Sequence, residues 1–350
     1  MKKLMTLSLF FLLFLLLAAG KNKSKNTQLD YPSSWPKPLY DFSKQPLQQA
    51  KIDLGKMLFY DPVLSRDSSI SCSSCHLNYT AFTHVDHALS HGIGDSIGTR
   101  NSPVLINLAW MSLLMWDGAV NHIDVQALAP ITHPKEMGET FTNVISKLQR
   151  SKFYPMYFER AFGQKTITGE RVLLAMAQFQ LTLVSSNAKY DQVMRKEKNI
   201  SFTAQEEHGH QLFLQHCSRC HTPPLFTNNQ FMSNGISPNT QLNDEGRKKI
   251  TQQEKDKYLF KVPTLRNIEF SYPYMHDGRF KTLYEVLNHY SGIHKGIPNQ
   301  DEILQNGISL DQKDKTDLVS FLLTLSDKTF LFNQAFAYPK NLFEEAKEIK

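Results

Sequence analysis

Cysteine is scarce in this chain. There are four in 350 residues, and none is left over once two Cys-x-x-Cys pairs, Cys72/Cys75 and Cys217/Cys220, are set aside. That excludes a small secreted scaffold stapled by disulfides. Charge of one sign is scarce as well: 39 Lys and Arg against 33 Asp and Glu leave +6. With no arginine-rich stripe, nothing marks an electrostatic footprint for nucleic acid. No sustained strand-period alternation appears, and no apolar run reaches the roughly 20 residues that span a bilayer comfortably. What the chain does have is apolar and aromatic residues, 41% and 11%. At about 150 residues per domain, its length and composition suit two cores and exclude a disordered chain.

The longest apolar run, Leu4 to Ala19, follows Lys2 and Lys3 and ends in Ala18-Ala19-Gly20. A basic start, a short apolar centre and a small-residue end mark residues 1–20 as a secretory signal peptide. A periplasmic protein is therefore expected, or a membrane-anchored one if the signal is not cleaved. Removing the two lysines takes the net charge from +6 to +4. Gly20 stands where a lipoprotein signal would carry its cysteine, which excludes lipidation there. The stretch Lys21 to Gln28 reads as a polar, flexible tether, and residues 21–40 are assigned to it.

Both cysteine pairs run directly into a histidine: Cys72-Ser-Ser-Cys75-His76 and Cys217-Ser-Arg-Cys220-His221. Two thiols three positions apart on a helical turn can add to the two vinyl groups of one haem. The next residue then offers imidazole to the iron. Two covalently bound haem c groups are expected, with His76 and His221 as proximal iron ligands. The competing reading, one zinc held by four cysteines, has to bridge the 141 residues between the pairs and leaves both histidines unexplained. Export supports haem, because thioether attachment takes place outside the bacterial cytoplasm.

The coarse pattern is helical with long loops. Leu47–Phe59 has apolar residues at helical spacing, and Thr140–Arg150 and Gly169–Val184 read as helices. Between them, His91 to Pro134 is punctuated by Pro and Gly. The charged run Met194–Asn199 reads as a linker. Thr203 with Glu206 three residues on caps a helix that leads into Cys217, and a last helix opens near Leu310-Asp311 and ends at Leu325. The fold class expected is mainly α, two c-type cytochrome-like haem domains in tandem, over residues 41–195 and 196–350, forming a weak internal repeat.

The order of further motifs resembles the bacterial di-haem cytochrome c peroxidases and their MauG-type relatives across nearly the whole mature chain. Its carriers are Leu54-Gly55-Lys56, Phe59-Tyr60-Asp61-Pro62, Arg100-Asn101-Ser102-Pro103, Trp116-Asp117-Gly118, Gln126, Pro130, Glu136-Met137, Pro263-Thr264-Leu265-Arg266-Asn267 and Tyr272-Pro273-Tyr274-Met275-His276-Asp277-Gly278. The resemblance implies that peroxide reacts at the N-terminal haem, on His76. Gln126 and Glu136, ten and twenty residues after Trp116, stand at the family's distal-pocket spacing. It makes Glu136 the general acid/base, where a solvated loop carboxylate is the plain alternative. Gln126 would orient the oxygen, Pro130 would shape the pocket, and Trp116 would bridge the haems. Asn101, Ser271 and Pro273 align with the oxygens that hold a calcium ion, Ser271 through its carbonyl.

Fourteen residues past His276, where the cytochrome-oxidising peroxidases carry methionine, this chain has Tyr290. Tyrosine there is the MauG-type feature, and a phenolate favours ferric and higher states. Tyr290 is thus the expected distal ligand of the second haem iron, with Met275 as a rival. His91, in Ser90-His91-Gly92, is a candidate removable distal ligand of the first iron, with a surface-loop histidine as the alternative; His84 and His87 are close enough to act instead. Three functions compete. One is a peroxidase that reduces hydrogen peroxide to water. The second is a MauG-type oxidase that modifies a partner protein through high-valent haem, and the third is a non-catalytic electron carrier. Glu136 and Gln126 speak against the carrier, and peroxidase chemistry is the broad expectation. The partners expected are hydrogen peroxide and either a small electron donor (cytochrome c or cupredoxin) or a protein substrate. A homodimer is one candidate assembly, which the sequence leaves open, and no nucleic-acid partner is expected.

Overall fold

The computed structural model describes residues 26–349. The expected signal peptide, residues 1–20, lies outside the described residues. The fold is mainly helical, as its periodicity implies. Strand among the described residues is limited to two antiparallel ladders of two residues each, Asn26–Thr27 with Leu47–Gln48 and Phe231–Met232 with Phe260–Lys261, and a few isolated bridges.

One helix pair recurs in each half. Helix α1 (Gln49–Tyr60) precedes the first cysteine pair and crosses α2 (Gly169–Leu181). Helix α3 (Ala204–His216) precedes the second and crosses α4 (Gln312–Leu323). Both crossings are closed by a glycine. A Cβ on Gly55 would lie 1.8 Å from the Ala175 carbonyl oxygen, and one on Gly209 would lie 2.0 Å from that of Asp317. Only a residue without a side chain lets the backbones meet so closely. Helix α3 begins with Thr203 and Glu206 exchanging hydrogen bonds as a capping box. Helix α4 begins at the Asp311 cap and ends near the expected place, but it is not the last helix. Two more follow, Lys328–Leu331 and Lys340–Glu348.

Those two helices lead the chain back onto the first half. Phe330 and Leu331 join a core with Phe59, Phe82, Trp110 and Phe179. Ala346 joins a second core with Leu54, Met57 and Phe158. Tyr60 donates to the Phe336 carbonyl at 2.6 Å, and Arg160 pairs with Glu345 at 2.7 Å. The second half has its own core of Phe213, Phe226, Leu318 and Phe321. Residues 29–40, placed in the expected tether, are anchored instead through one buried residue. Trp35 is 7% exposed, its ring lies edge-on to Trp110, and Trp110 Nε1 donates to the Pro36 carbonyl at 2.7 Å. Burying the two large aromatics outweighs the polar residues around them. Between the halves, Arg266 is fully buried, paired with Asp191 at 2.7 Å and stacked over the Trp35 ring at 4.5 Å.

Candidate active site

Both cysteine pairs are closed by the same hydrogen bond, from the histidine N–H to the first cysteine's carbonyl. Cys72–Cys75 forms one helical turn, with the Ser71 N–H donating to Ser74 Oγ, and His76 N–H donates back to the Cys72 carbonyl at 3.0 Å. Cys217 follows directly on α3, and His221 N–H donates to the Cys217 carbonyl at 2.9 Å. The four thiols are free. Each histidine ring is oriented by main-chain oxygens. His76 Nδ1 lies 2.6 Å from the Phe82 carbonyl, and His221 Nδ1 lies 3.1 Å from that of Pro263 and 3.3 Å from that of Phe226. Phe82 and Phe226 are both fully buried and both take a positive φ, which turns their carbonyls toward the imidazoles. With Nδ1–H donated to a carbonyl, the Nε2 lone pair is left for a metal. Burial pushes both rings down to about 4, which keeps them neutral, as a ligand must be. This donor set fits a haem at each pair.

Around the first pair, the structure brings several expected residues together. Cys75 Sγ donates to the His91 carbonyl at 3.3 Å. Gly92 lies against the Glu136 backbone, whose carbonyl accepts from Ile93 N–H at 2.7 Å. Glu136 sits in a turn closed by Met137 N–H donating to the Pro130 carbonyl at 3.1 Å. Its side chain is half-buried, and its charge reaches both the Cys72 and Cys75 thiols. Burial raises its carboxyl above the ordinary glutamate value, and His133, 3.7 Å away, offsets part of that rise. Gln126 is buried at the end of the preceding helical turn, Ile123–Gln126, and its amide has no hydrogen-bond partner among the described residues. The His91 ring stacks on His87 at 4.1 Å, and His87 stacks on His84 at 5.0 Å. His91 Nδ1 also pairs with Asp95 at 2.9 Å.

The second pair opens into a large apolar cavity, whose wall includes Cys217, Cys220, His221, Tyr290, Met275 and Trp116. Tyr290 lies close enough to feel both thiols. Burial pushes its phenol up to about 12, and a hydrogen bond with Asn234 works in the opposite direction. The same Asn234 amide donates to Met275 Sδ at 3.2 Å. Both candidate distal ligands therefore face one cavity. Trp116 Nε1 donates to the Asn101 carbonyl at 2.8 Å, and Asn101 N–H donates to the His276 carbonyl at 2.7 Å. Asn101, Ser271 and Pro273 share this wall, while Asn101 Nδ2 is engaged by the Ala88 carbonyl at 3.0 Å. A cation there would find neutral oxygens. Among the described residues no group of three His, Cys, Asp or Glu is placed to hold a metal. The cavity also reaches Thr83, one residue beyond the carbonyl that orients His76, so it runs from one pair toward the other.

The repeated Cys-x-x-Cys-His turn and the shared cavity call for comparison with known proteins. A family model described as di-haem cytochrome c peroxidase matches residues 49–199. The methylamine utilization protein MauG of Methylorubrum extorquens is 34% identical over 307 residues, covering 84% of this chain and 82% of the relative. This chain belongs to the di-haem cytochrome c peroxidase and MauG family. The cytochrome c551 peroxidase of Nitrosomonas europaea is 33% identical over 279 residues, covering 78% of this chain and 79% of that one. A solved MauG-like protein associated with microbial copper homeostasis superposes with a TM-score of 0.82 at 27% identity. It covers 90% of this chain and 99% of that one. For this di-haem family member, the two cysteine pairs are consistent with two haem c groups. No helix of the described residues is long and apolar enough to cross a membrane.

Three residues of the site carried no signal in the motif reading. They are Asn234, between the two candidate ligands, His133 beside Glu136, and Lys261, whose N–H donates to the Trp116 carbonyl at 2.7 Å. Lys261 could have been noticed as a lone cation in the apolar run Phe260-Lys261-Val262-Pro263.

Proposed function

We propose that this chain is an exported di-haem peroxidase that reduces hydrogen peroxide to water at the site of Cys72, Cys75 and His76, with electrons from a small redox protein. The observation that carries this reading is Glu136, a carboxyl held above its ordinary value beside that cysteine pair. The haem, when bound, supplies the iron that passes the electrons. The protein must move the protons. Reduction consumes two electrons and two protons per peroxide and releases two waters. One oxygen must lose its proton while the other, the leaving oxygen, gains one. A Glu136 carboxylate oxygen can accept the first proton and return it to the leaving oxygen. The free Gln126 amide can donate a hydrogen bond to hold the peroxide in line. Pro130 has no N–H to compete and fixes the turn that presents Glu136. Trp116 offers an indole between the two sites for electron relay. Asn101, Ser271 and Pro273 are proposed to hold a calcium ion at the seam of residues 41–195 and 196–350.

Mixing the holoprotein with peroxide and a reduced small cytochrome c tests the reading. Two cytochromes should be oxidised for each peroxide consumed once the protein has taken up one electron. Peroxide loss without cytochrome oxidation would sink it.

A second reading, a MauG-type oxidation of a partner protein, is favoured by Tyr290 facing Cys217 and Cys220. Under it, the fully oxidised holoprotein reacts with peroxide with no prior reduction, and His91 plays no blocking part. Tyr290→Phe should change the visible spectrum of one haem and spare the other. An unaltered spectrum would pass the ligand role to Met275.

A further inference from the structure

The wall of the cavity at the second cysteine pair carries a cation with no carboxylate partner among the described residues. Lys261 lies on the short strand Phe260–Lys261, paired with Phe231–Met232 on one side and hydrogen-bonded to the Trp116 carbonyl through its own N–H. It lines the cavity whose wall also includes Cys217, Cys220 and His221. Its Nζ donates to the Leu113 carbonyl at 3.2 Å and lies 4.0 Å from Met111 Sδ. No ion pair of the described residues includes it, whereas Arg219 on the same wall is paired with Asp301 at 3.2 Å. Taking an ammonium out of water costs several kcal/mol unless an anion compensates. One carbonyl and one thioether are weak compensation. Burial alone pulls the Lys261 ammonium down to about 8, so at neutral pH it is still largely charged and still lacks a partner.

We propose that Lys261 is the counter-charge for a propionate carboxylate of the haem carried by Cys217 and Cys220. The inference rests on the haem reading of that pair. The anion must lie in the cavity, because among the described residues the carboxylate on its wall, Asp301, is paired with Arg219 and none pairs with Lys261. It must belong to a largely apolar body, because most of the wall is apolar: Leu108, Val104, Val262 and Leu287 stand around it. A haem meets both conditions, with an apolar macrocycle and carboxylates at one edge. Lys261 would then hold that edge where its strand meets Trp116, and so register the cofactor against the indole.

A cation near a haem favours the reduced state, which carries one positive charge fewer. Potentiometric titration of the holoprotein is therefore the test, with Lys261→Gln and Lys261→Arg. Glutamine keeps a donor for the Leu113 carbonyl but removes the charge; arginine keeps both. In Lys261→Gln, the midpoint potential of the second haem should fall, so that at a fixed poise its reduced-to-oxidised ratio drops roughly tenfold, about 59 mV for a one-electron couple. Lys261→Arg should stay near the parent. The haem in this cavity is the one whose spectrum responds to replacing Tyr290 or Met275. Unchanged potentials, with or without a loss of thermal stability, would overturn the proposal and leave Lys261 as a tie for Leu113. A shift confined to the other haem would overturn it too. Failure of the haem reading is separate and visible beforehand, as a protein mass lacking a group on the Cys217–Cys220 peptide.

Discussion

Glu136→Gln is expected to lower peroxide turnover by roughly 10²–10⁴ while leaving both covalent haems in place. Glutamine matches the carboxylate in size and keeps its hydrogen-bonding reach, so the turn closed by Met137 and Pro130 should hold. What it lacks is a site that can take a proton and give it back. The pH profile separates this role from a structural one. Burial is the larger influence on Glu136 and raises its pKa, with His133 acting in the opposite direction. In the proposed reaction the carboxylate form must accept the first proton, so turnover should fall as the pH is lowered through that raised value. The acid limb then lies above the ordinary glutamate range. In Glu136→Gln the residual rate should lose this limb. Steady-state peroxide consumption across pH, with haem content measured from the spectrum, checks both statements. A variant that keeps full turnover, or keeps the limb, removes Glu136 from the proton path.

The geometry of the Cys-x-x-Cys-His turns was legible in the sequence because it is local. Two thiols and an imidazole must fit within one turn of chain, and both copies close it with the same return hydrogen bond to the first cysteine. Helix starts at Thr203 and Asp311 were legible for the same reason, since a cap is satisfied within three residues. Tyr290 could be placed by counting, but only the fold shows that it and Met275 share one asparagine. What could not be read depends on partners far along the chain. The carbonyls that orient His221 come from Phe226 and from Pro263, 42 residues away. The return of the C-terminal helices onto Phe59 and Phe82 follows from apolar faces that any core could have taken. Residues 29–40 misled because the polar stretch 21–28 sets the character of the tether, whereas Trp35 decides where the residues after it sit.

The same contrast governs the second large effect, the replacement of Arg100, which is expected to lower stability by about 3–5 kcal/mol. The Arg100 guanidinium donates to both oxygens of Asp244, at 2.6 and 2.9 Å, and to Asp117 at 2.6 Å. It thereby clamps the loop before Trp116 to the second half of the chain. Both acceptors are nearly buried, with side chains 8% and 3% exposed. Burial by itself would raise the Asp244 carboxyl, but Arg100, the Gly246 N–H and Lys249 outweigh it and hold it at about 2. A carboxyl depressed on folding contributes stability that is fully present above its unfolded value of 3.8 and lost as the pH falls through about 2. In Arg100→Met that sign reverses. The main compensating cation is gone, burial dominates, and Asp244 binds its proton more readily in the folded chain than in the unfolded one. The variant should therefore be much less stable than the parent at neutral pH, and the gap should narrow on acidification toward pH 4. Thermal unfolding of the two holoproteins at both pH values reads this directly. A double replacement, Arg100→Met with Asp244→Asn, should recover part of the loss at neutral pH, because the stranded charge is removed with its partner. If the double variant is no better than the single one, the damage lies in lost shape beside Asn101 and Trp116 rather than in an unpaired carboxylate.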